Sequence, residues 1–137
     1  MKYILTLCIG NICRSPLAQA QLAQQLPSHV VTSAGLAALV GQAADPLSIE
    51  VGAANGLDIT AHRAQQVTGF LCQKSDLILV MEQAHKSQLE HLFPVVRGKV
   101  YTLGQYGQFD IADPYRQPRE AFELAYRAIV QGVSDWV

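Results

Sequence analysis

A chain of 137 residues, half of them hydrophobic, has the length and apolar content of a single domain, which we expect over residues 1–137. Ten Lys and Arg against eleven Asp and Glu give a formal net charge of −1, which leaves no broad basic surface for nucleic acid or anionic lipid. No apolar run approaches the roughly 20 residues of a membrane-spanning helix, and no signal-peptide pattern opens the chain, so we predict a cytoplasmic protein without membrane insertion.

The first predicted element is a strand over residues 2–7. Its sequence, KYILTL, is an almost unbroken apolar run, which is typical of a parallel strand covered on both faces. Three more strands are predicted over residues 29–34, 76–81 and 99–103.

Helical patterns separate these strands. Ser15 and Pro16 are typical of a helix start, with serine as the N-cap and proline at the first helical position, and Pro27 ends the pattern. The last predicted helix opens at Pro118 and has apolar residues at steps of three or four, namely Phe122, Ala125, Ile129, Val133 and Trp136. This alternation predicts an α/β fold, a three-layer sandwich in which helices flank a central four-stranded parallel sheet.

The sequence CIGNICRS, residues 8–15, joins the first strand to the first helix, where parallel sheets bind ligands. Backbone amides of such a loop can form a nest for an anion. Gly10 can adopt a positive φ, and Asn11 tolerates the left-handed region well. Arg14 adds a planar fork that can bind two phosphate oxygens. We call residues 8–15 the anion loop.

Cys8 opens the anion loop. A helix N-terminus and a nearby cation lower the pKa of a thiol by several units, so we predict a thiolate here. An arbitrary cysteine in a first strand is more often a small buried hydrophobe. However, a Cys followed after five residues by Arg-Ser at a strand-to-helix junction favours a nucleophile that attacks a phosphate monoester.

The other thiols and the histidines carry weaker signals. Three cysteines fit a reducing compartment better than a disulfide framework. Cys13 is close enough in sequence to trap an oxidised Cys8 as a disulfide, whereas Cys72 is predicted to lie in the core. The histidines show no metal-ligand spacing and no nucleotide-binding glycine motif is present, so we predict neither a metal nor a cofactor.

Cleavage of a phosphate ester at neutral pH needs a proton donor, which afterwards activates water. Asp45 precedes a helix and is predicted to cap it. Asp110 and Asp113 lie in the turn-rich loop before the last helix. Asp113 is favoured because Pro114 stiffens the loop and Tyr115 can form a wall beside an aromatic substrate; an ordinary Asp-Pro turn is the alternative.

On these residues the sequence resembles the low-molecular-weight protein tyrosine phosphatases. The resemblance covers nearly the whole chain, through the segments CIGNICRSP, SAGL, AHRAQQ, LILVME and ADPYR. It implies that Cys8 is the nucleophile, that Arg14 binds phosphate and the transition state, and that Asp113 is the general acid and then the general base.

The resemblance also implies supporting roles around these three residues. Ser15 would ease departure of the thiolate, and Asn11 would be held by a network with Ser33 and His62. The substrate-binding residues that it implies are Ile9, Gly10, Asn11, Ile12, Cys13, Ser15, Leu39 and Tyr115.

The segment GLAALVGQAADP is most similar to the bacterial branch of the family, which acts on tyrosine autokinases that control capsule and exopolysaccharide export. The implied partner is therefore a phosphotyrosine protein, a membrane-associated autokinase. Leu39 and Arg116 stand where eukaryotic relatives usually carry aromatic residues, and Gln65 stands where relatives often carry arginine.

Two alternatives remain at this stage. An arsenate reductase of the same fold needs additional cysteines to pass the oxidation along, and no cysteine follows Cys72. A non-catalytic phosphate-binding protein would have no need for both Cys8 and Asp113.

Overall fold

The computed structural model describes residues 2–137, and within them four parallel strands form one sheet. The strands are β1 (Tyr3–Cys8), β2 (Val30–Gly35), β3 (Leu77–Val80) and β4 (Val100–Thr102). They lie in the order β2-β1-β3-β4, so β1 has a neighbour on each side. All four predicted strands are present, and each bound differs from the prediction by one residue.

Helices cover both faces of this sheet. Along the described residues they are α1 (Arg14–Gln25), α2 (Pro46–Ala54), α3 (Gly69–Lys74), α4 (Gln83–Leu92) and α5 (Arg119–Trp136), with short 3-10 turns at Pro94–Val96 and Gln105–Gly107. One core cluster joins the sheet to α1 and α5, and a second joins its other face to α3 and α4. The predicted α/β three-layer sandwich is confirmed.

The central strand shows why the apolar run is continuous. Ile4 packs in the cluster with α1 and α5, whereas Leu5 and Leu7 pack in the cluster with α3 and α4. A strand that is covered on both faces has no position for a solvent-facing polar side chain. The run therefore ends only at Cys8, where the chain leaves the sheet at its carboxyl edge.

The last helix packs closely on the end of β4. Four of its predicted apolar positions are buried, and Trp136 is half-buried and donates from Nε1 to the Leu103 carbonyl at 3.1 Å. A Cβ added to Gly132 would lie 2.9 Å from that same carbonyl oxygen. A larger residue at 132 would therefore push α5 away from the sheet.

The start of α1 differs from the prediction that Ser15 is its N-cap. The helix begins at Arg14, and the residue in the cap position, Cys13, makes no side-chain capping bond. The N-cap prediction is wrong because the hydroxyl of Ser15 turns toward Cys8 and Asn11 instead of a helix amide. By contrast, the predicted cap at Asp45 is confirmed, since its carboxylate accepts from the Leu47 amide at 2.9 Å.

Within residues 2–137, no helix combines the length and the hydrophobicity that crossing a bilayer requires.

Candidate active site

A cavity of about 330 Å³ opens at the carboxyl edge of the sheet, where β1 ends and the anion loop begins. Three segments that are far apart in sequence form its walls. Its lining residues are Cys8, Ile9, Gly10, Ile12, Cys13 and Arg14 from the anion loop, Ala37 and Leu39 from the segment after β2, and Asp113, Tyr115 and Arg116 from the loop before α5.

Asn11 fixes the shape of the anion loop. Its backbone is left-handed, with φ of 59°, whereas Gly10 does not adopt a positive φ. Its buried side chain donates from Nδ2 to Ser15 Oγ at 2.8 Å and to Ser33 Oγ at 3.0 Å, while Oδ1 accepts from the Gln65 amide at 2.9 Å. Because a backbone amide can only donate, this last bond also fixes which end of the Asn11 amide is oxygen.

His62 supports the same residue from the other side. Its Nε2 lies 2.6 Å from the Asn11 carbonyl oxygen. Burial lowers the pKa of His62, the bond to Asn11 opposes that shift, and the Arg63 guanidinium lowers the pKa further. A neutral ring with its proton on Nε2 therefore donates this hydrogen bond. The structure thus places Ser33 and His62 against Asn11, in the contacts that the family resemblance implied.

Cys8 lies buried at the end of β1, with its Sγ 2.9 Å from Ser15 Oγ. Since Asn11 Nδ2 donates to that hydroxyl, the hydrogen of Ser15 remains available to the sulfur. The Ser15 hydroxyl can therefore donate a hydrogen bond to the Cys8 sulfur.

Arg14 is almost completely buried, with 1% of its surface exposed. Its Nη1 donates to Glu82 Oε2 at 2.5 Å and to the Ile111 carbonyl at 2.7 Å. Its Nη2 lies 3.8 Å from Asp113 Oδ2, and Nε has no hydrogen-bond partner within residues 2–137. The protein therefore fixes the guanidinium at Nη1, and the buried Nε–H remains as a donor for an oxygen of a ligand.

The two candidate acids lie in different surroundings. Asp113 lines the cavity, and its Oδ1 accepts from the Tyr115 amide at 3.0 Å. Asp110 instead accepts from the Gln83 amide at 3.2 Å, at the first residue of α4, and is not among the residues that line the cavity. Of the two, Asp113 shares a cavity with Cys8.

Comparisons with known proteins identify the family of this chain. The sequence model of the family described as low molecular weight phosphotyrosine protein phosphatase matches residues 3–137. This chain belongs to that family.

Individual relatives of this phosphatase match over nearly their full length. A probable low molecular weight protein-tyrosine-phosphatase EpsP of Ralstonia nicotianae is 54% identical over 137 residues, which are 100% of this chain and 94% of the relative. The structure of Vibrio vulnificus Wzb in complex with benzylphosphonate superimposes with a TM-score of 0.96 at 46% identity, over 98% of this chain and 96% of the other. Escherichia coli K30 Wzb in complex with sulphate gives a TM-score of 0.95 at 40% identity, over 98% and 95%.

The sequence analysis of this phosphatase missed the partners of Arg14. Glu82 lies two residues beyond the end of β3, and His85 Nε2 lies 3.5 Å from Glu82 Oε2. Burial and the Arg14 guanidinium lower the pKa of the buried His85, against the raising effect of the carboxylates of Glu82, Asp110 and Asp113. The sequence does contain a signal for Glu82, which is the carboxylate at the end of LILVME. A charged residue that follows a buried strand lies at the edge of the sheet where the anion loop also lies.

The remaining thiols of this phosphatase are in different places. Cys13 lines the cavity, and burial, together with the carboxylate of Asp45, raises its pKa, so it stays a neutral thiol. Cys72 is fully buried in the core cluster on the α3 and α4 face, which confirms the prediction of a core residue. Cys8 belongs to the cluster on the opposite face.

No cluster of three or more His, Cys, Asp or Glu side chains in the described part of this phosphatase could hold a metal ion. At the position where an arginine was expected from relatives, Gln65 donates from Nε2 to the Ser33 carbonyl at 2.9 Å. An uncharged hydrogen bond from the side-chain amide of Gln65 thus supports the network around Asn11.

Replacing Asn11 with alanine is expected to lower the free energy of unfolding of this phosphatase by about 2–4 kcal/mol. Alanine loses two buried hydrogen bonds and one partly buried one, and it tolerates the left-handed backbone less well than asparagine. Urea denaturation followed by circular dichroism measures the loss. The matched control is Asn55→Ala, which removes one bond at an exposed position and is expected to cost under about 1 kcal/mol. Equal losses in the two variants would contradict the structural role of Asn11.

Proposed function

We propose that this chain hydrolyses phosphotyrosine in proteins through a cysteinyl-phosphate intermediate. The observation that carries the proposal is the shared cavity. In it, Cys8 Sγ has a hydroxyl donor at 2.9 Å, Arg14 Nε is a buried donor without a partner among the described residues, and Asp113 forms another wall.

In the first step, the Cys8 thiolate attacks phosphorus from the side opposite the tyrosine oxygen. The Sγ–P bond forms as the P–O bond to tyrosine breaks. Amides of the anion loop and Arg14 bind the three other phosphate oxygens, and protonated Asp113 gives its proton to the departing phenolate oxygen. The products are a tyrosine side chain and phosphocysteine.

In the second step, the Asp113 carboxylate takes a proton from a water molecule as the water oxygen attacks phosphorus. The Sγ–P bond breaks, inorganic phosphate leaves, and the electron pair returns to the Cys8 sulfur. Ser15 Oγ, at 2.9 Å, stabilises the released thiolate with its hydrogen bond.

The walls of the cavity suit a planar aromatic ring. Ile9, Leu39 and Tyr115 present apolar and aromatic surface around the approach to Cys8. Aromatic rings pack favourably on such walls, whereas an aliphatic phosphoserine leaves them partly uncovered. The Vibrio vulnificus relative was solved with benzylphosphonate, a phosphonate that carries an aromatic ring, which supports the same substrate class here.

We further propose a cytoplasmic site of action and a membrane-associated tyrosine autokinase of capsule or exopolysaccharide production as the physiological substrate. Both proposals rest on the similarity of GLAALVGQAADP to the bacterial branch. The test is a substrate-trapping pull-down from the native cell with the Cys8→Ser variant, followed by detection of phosphotyrosine. Capture of a tyrosine-phosphorylated membrane kinase supports the proposal, and recovery of only soluble phosphoproteins overturns it.

The arsenate reductase alternative finds no support in the positions of the thiols. Cys72 packs in the core on the sheet face opposite the cluster that contains Cys8, so a relay between them would need a large rearrangement. Arsenate-dependent consumption of a thiol reductant, measured beside p-nitrophenyl phosphate hydrolysis, separates the two activities. Tight phosphate binding without any hydrolysis would instead indicate a binding protein.

Replacing Asp113 with asparagine is expected to lower kcat for phenyl phosphate by about a hundredfold. The loss is expected to be smaller for p-nitrophenyl phosphate, because its better leaving group needs less help from a proton donor. The matched control is Asp110→Asn, which removes the same charge outside the cavity. Equal losses with both substrates, or a larger loss in the Asp110 variant, would assign the acid to another residue.

A further inference from the structure

We propose that Arg116 forms a second anion-binding subsite at the mouth of the cavity. The subsite would bind a carboxylate or a phosphate carried by a residue next to the phosphotyrosine in the substrate. This proposal rests on the proposed function, and it adds a preference for acidic surroundings of the target tyrosine.

The loop before α5 holds Arg116 at the rim. The Gln117 amide donates to the Pro114 carbonyl at 2.9 Å, which closes a turn around Tyr115 and Arg116. Within this turn Arg116 is left-handed, with φ of 63°. Its guanidinium carbon lies 5.2 Å from the centre of the Tyr115 ring, a cation–π contact that orients the side chain. Both residues line the cavity.

Apart from the Tyr115 ring, the Arg116 guanidinium has no charged or hydrogen-bonding partner among the described residues. Within residues 2–137 its side chain has neither an ion pair nor a hydrogen bond, whereas Arg14 pairs with Glu82 and Arg119 pairs with Glu50. A guanidinium offers five N–H donors in a fixed plane and binds carboxylate or phosphate with two of them. Arg116 therefore presents N–H donors that can bind a substrate anion beside the reaction site.

The phosphate that reacts is bound elsewhere. It takes the donors of the anion loop and Arg14, so Arg116 is left for another group of the substrate. Tyr115 flanks the aromatic ring, and Arg116 follows it directly along the rim. Neighbouring Cα atoms of a peptide are 3.8 Å apart, so the side chain of a residue next to the phosphotyrosine lies within reach of the rim.

The experiment compares three peptides that differ only in the residues flanking the phosphotyrosine, which are Gln, Glu or a second phosphotyrosine. Wild type is expected to show kcat/KM about threefold to tenfold higher for the Glu peptide than for the Gln peptide, since an exposed ion pair with good geometry contributes modestly. A larger gain with the second phosphotyrosine assigns the subsite to phosphate, and a larger gain with Glu assigns it to carboxylate.

Three variants test whether Arg116 carries the preference. Arg116→Asn keeps a residue type that tolerates the left-handed backbone and is expected to bring the ratio of Glu to Gln peptides near one. Arg116→Lys keeps the charge without the fork and is expected to retain part of the ratio. Arg127→Asn removes an equal charge on α5, outside this cavity, and is expected to leave the ratio as in wild type.

The outcomes separate this proposal from the proposed function. Hydrolysis of all three peptides at equal rates by wild type would overturn the subsite and leave the phosphatase activity standing. An acidic preference that persists in Arg116→Asn would also overturn it. If wild type hydrolyses none of the peptides, the proposed function itself fails.

Discussion

Replacing Cys8 with serine is expected to lower kcat for aryl phosphate hydrolysis at least about a thousandfold while the fold is retained. Serine is close in size to cysteine, so the buried end of β1 is hardly disturbed. Its hydroxyl is not ionised at neutral pH, however, and is a much weaker nucleophile than the thiolate of the proposed mechanism. Steady-state hydrolysis of p-nitrophenyl phosphate gives the rate, and circular dichroism checks the fold.

Two further measurements make this result decisive. Acid-quenched wild type, analysed by mass spectrometry during turnover, is expected to carry phosphate on Cys8. The matched thiol variant is Cys72→Ala, which removes a buried cysteine on the opposite face of the sheet. It is expected to reduce stability but to keep hydrolysis. Retention of more than a tenth of the wild-type rate in Cys8→Ser would remove this residue from the role of nucleophile.

Replacing Arg14 with lysine is expected to lower kcat/KM by about a hundredfold to a thousandfold. Arginine bonds Glu82 and the Ile111 carbonyl with one nitrogen and still has Nε free. A single ammonium group cannot meet both sets of partners, because it lacks the planar fork. Steady-state kinetics and inhibition by inorganic phosphate measure the loss of transition-state and ground-state binding.

The control for this exchange is Arg119→Lys. That arginine forms an exposed ion pair with Glu50, and such pairs contribute little. Its kinetics are expected to match those of wild type. An Arg14→Lys variant within threefold of wild type would show that phosphate binding depends on the loop amides alone.

Sequence patterns predicted the layers of the fold because they record burial directly. The apolar run of β1 and the spacing of Phe122 and Ile129 in α5 mark surfaces that must leave water, and both elements are present. The N-cap rule failed at Ser15, because its hydroxyl contacts the Cys8 sulfur across the anion loop instead of a helix amide. Such a choice depends on tertiary partners that no local pattern contains.

The same limit applies to the site. The anion loop is contiguous, so its chemistry could be predicted from one segment. The two contacts that fix Arg14 are made by Glu82 and Ile111, which lie 68 and 97 positions away along the chain. The second contact is with a backbone carbonyl, which has no sequence signature. Asp113 and Asp110 lie in the same turn-rich loop, and the path of that loop places Asp113 in the cavity wall and Asp110 against the Gln83 amide.

The bond from Arg14 to the Ile111 carbonyl joins the anion loop to the segment of Asp113, since Ile111 lies two residues before Asp113. Arg14 thus anchors the segment that carries the proposed acid, and under the proposed mechanism a change at residue 14 would disturb proton transfer as well as phosphate affinity. Because the acceptor is a main-chain oxygen, a substitution at position 111 keeps this hydrogen bond as long as the new side chain still packs in the core. The link between the two segments therefore tolerates substitution of Ile111 but is lost on substitution of Arg14.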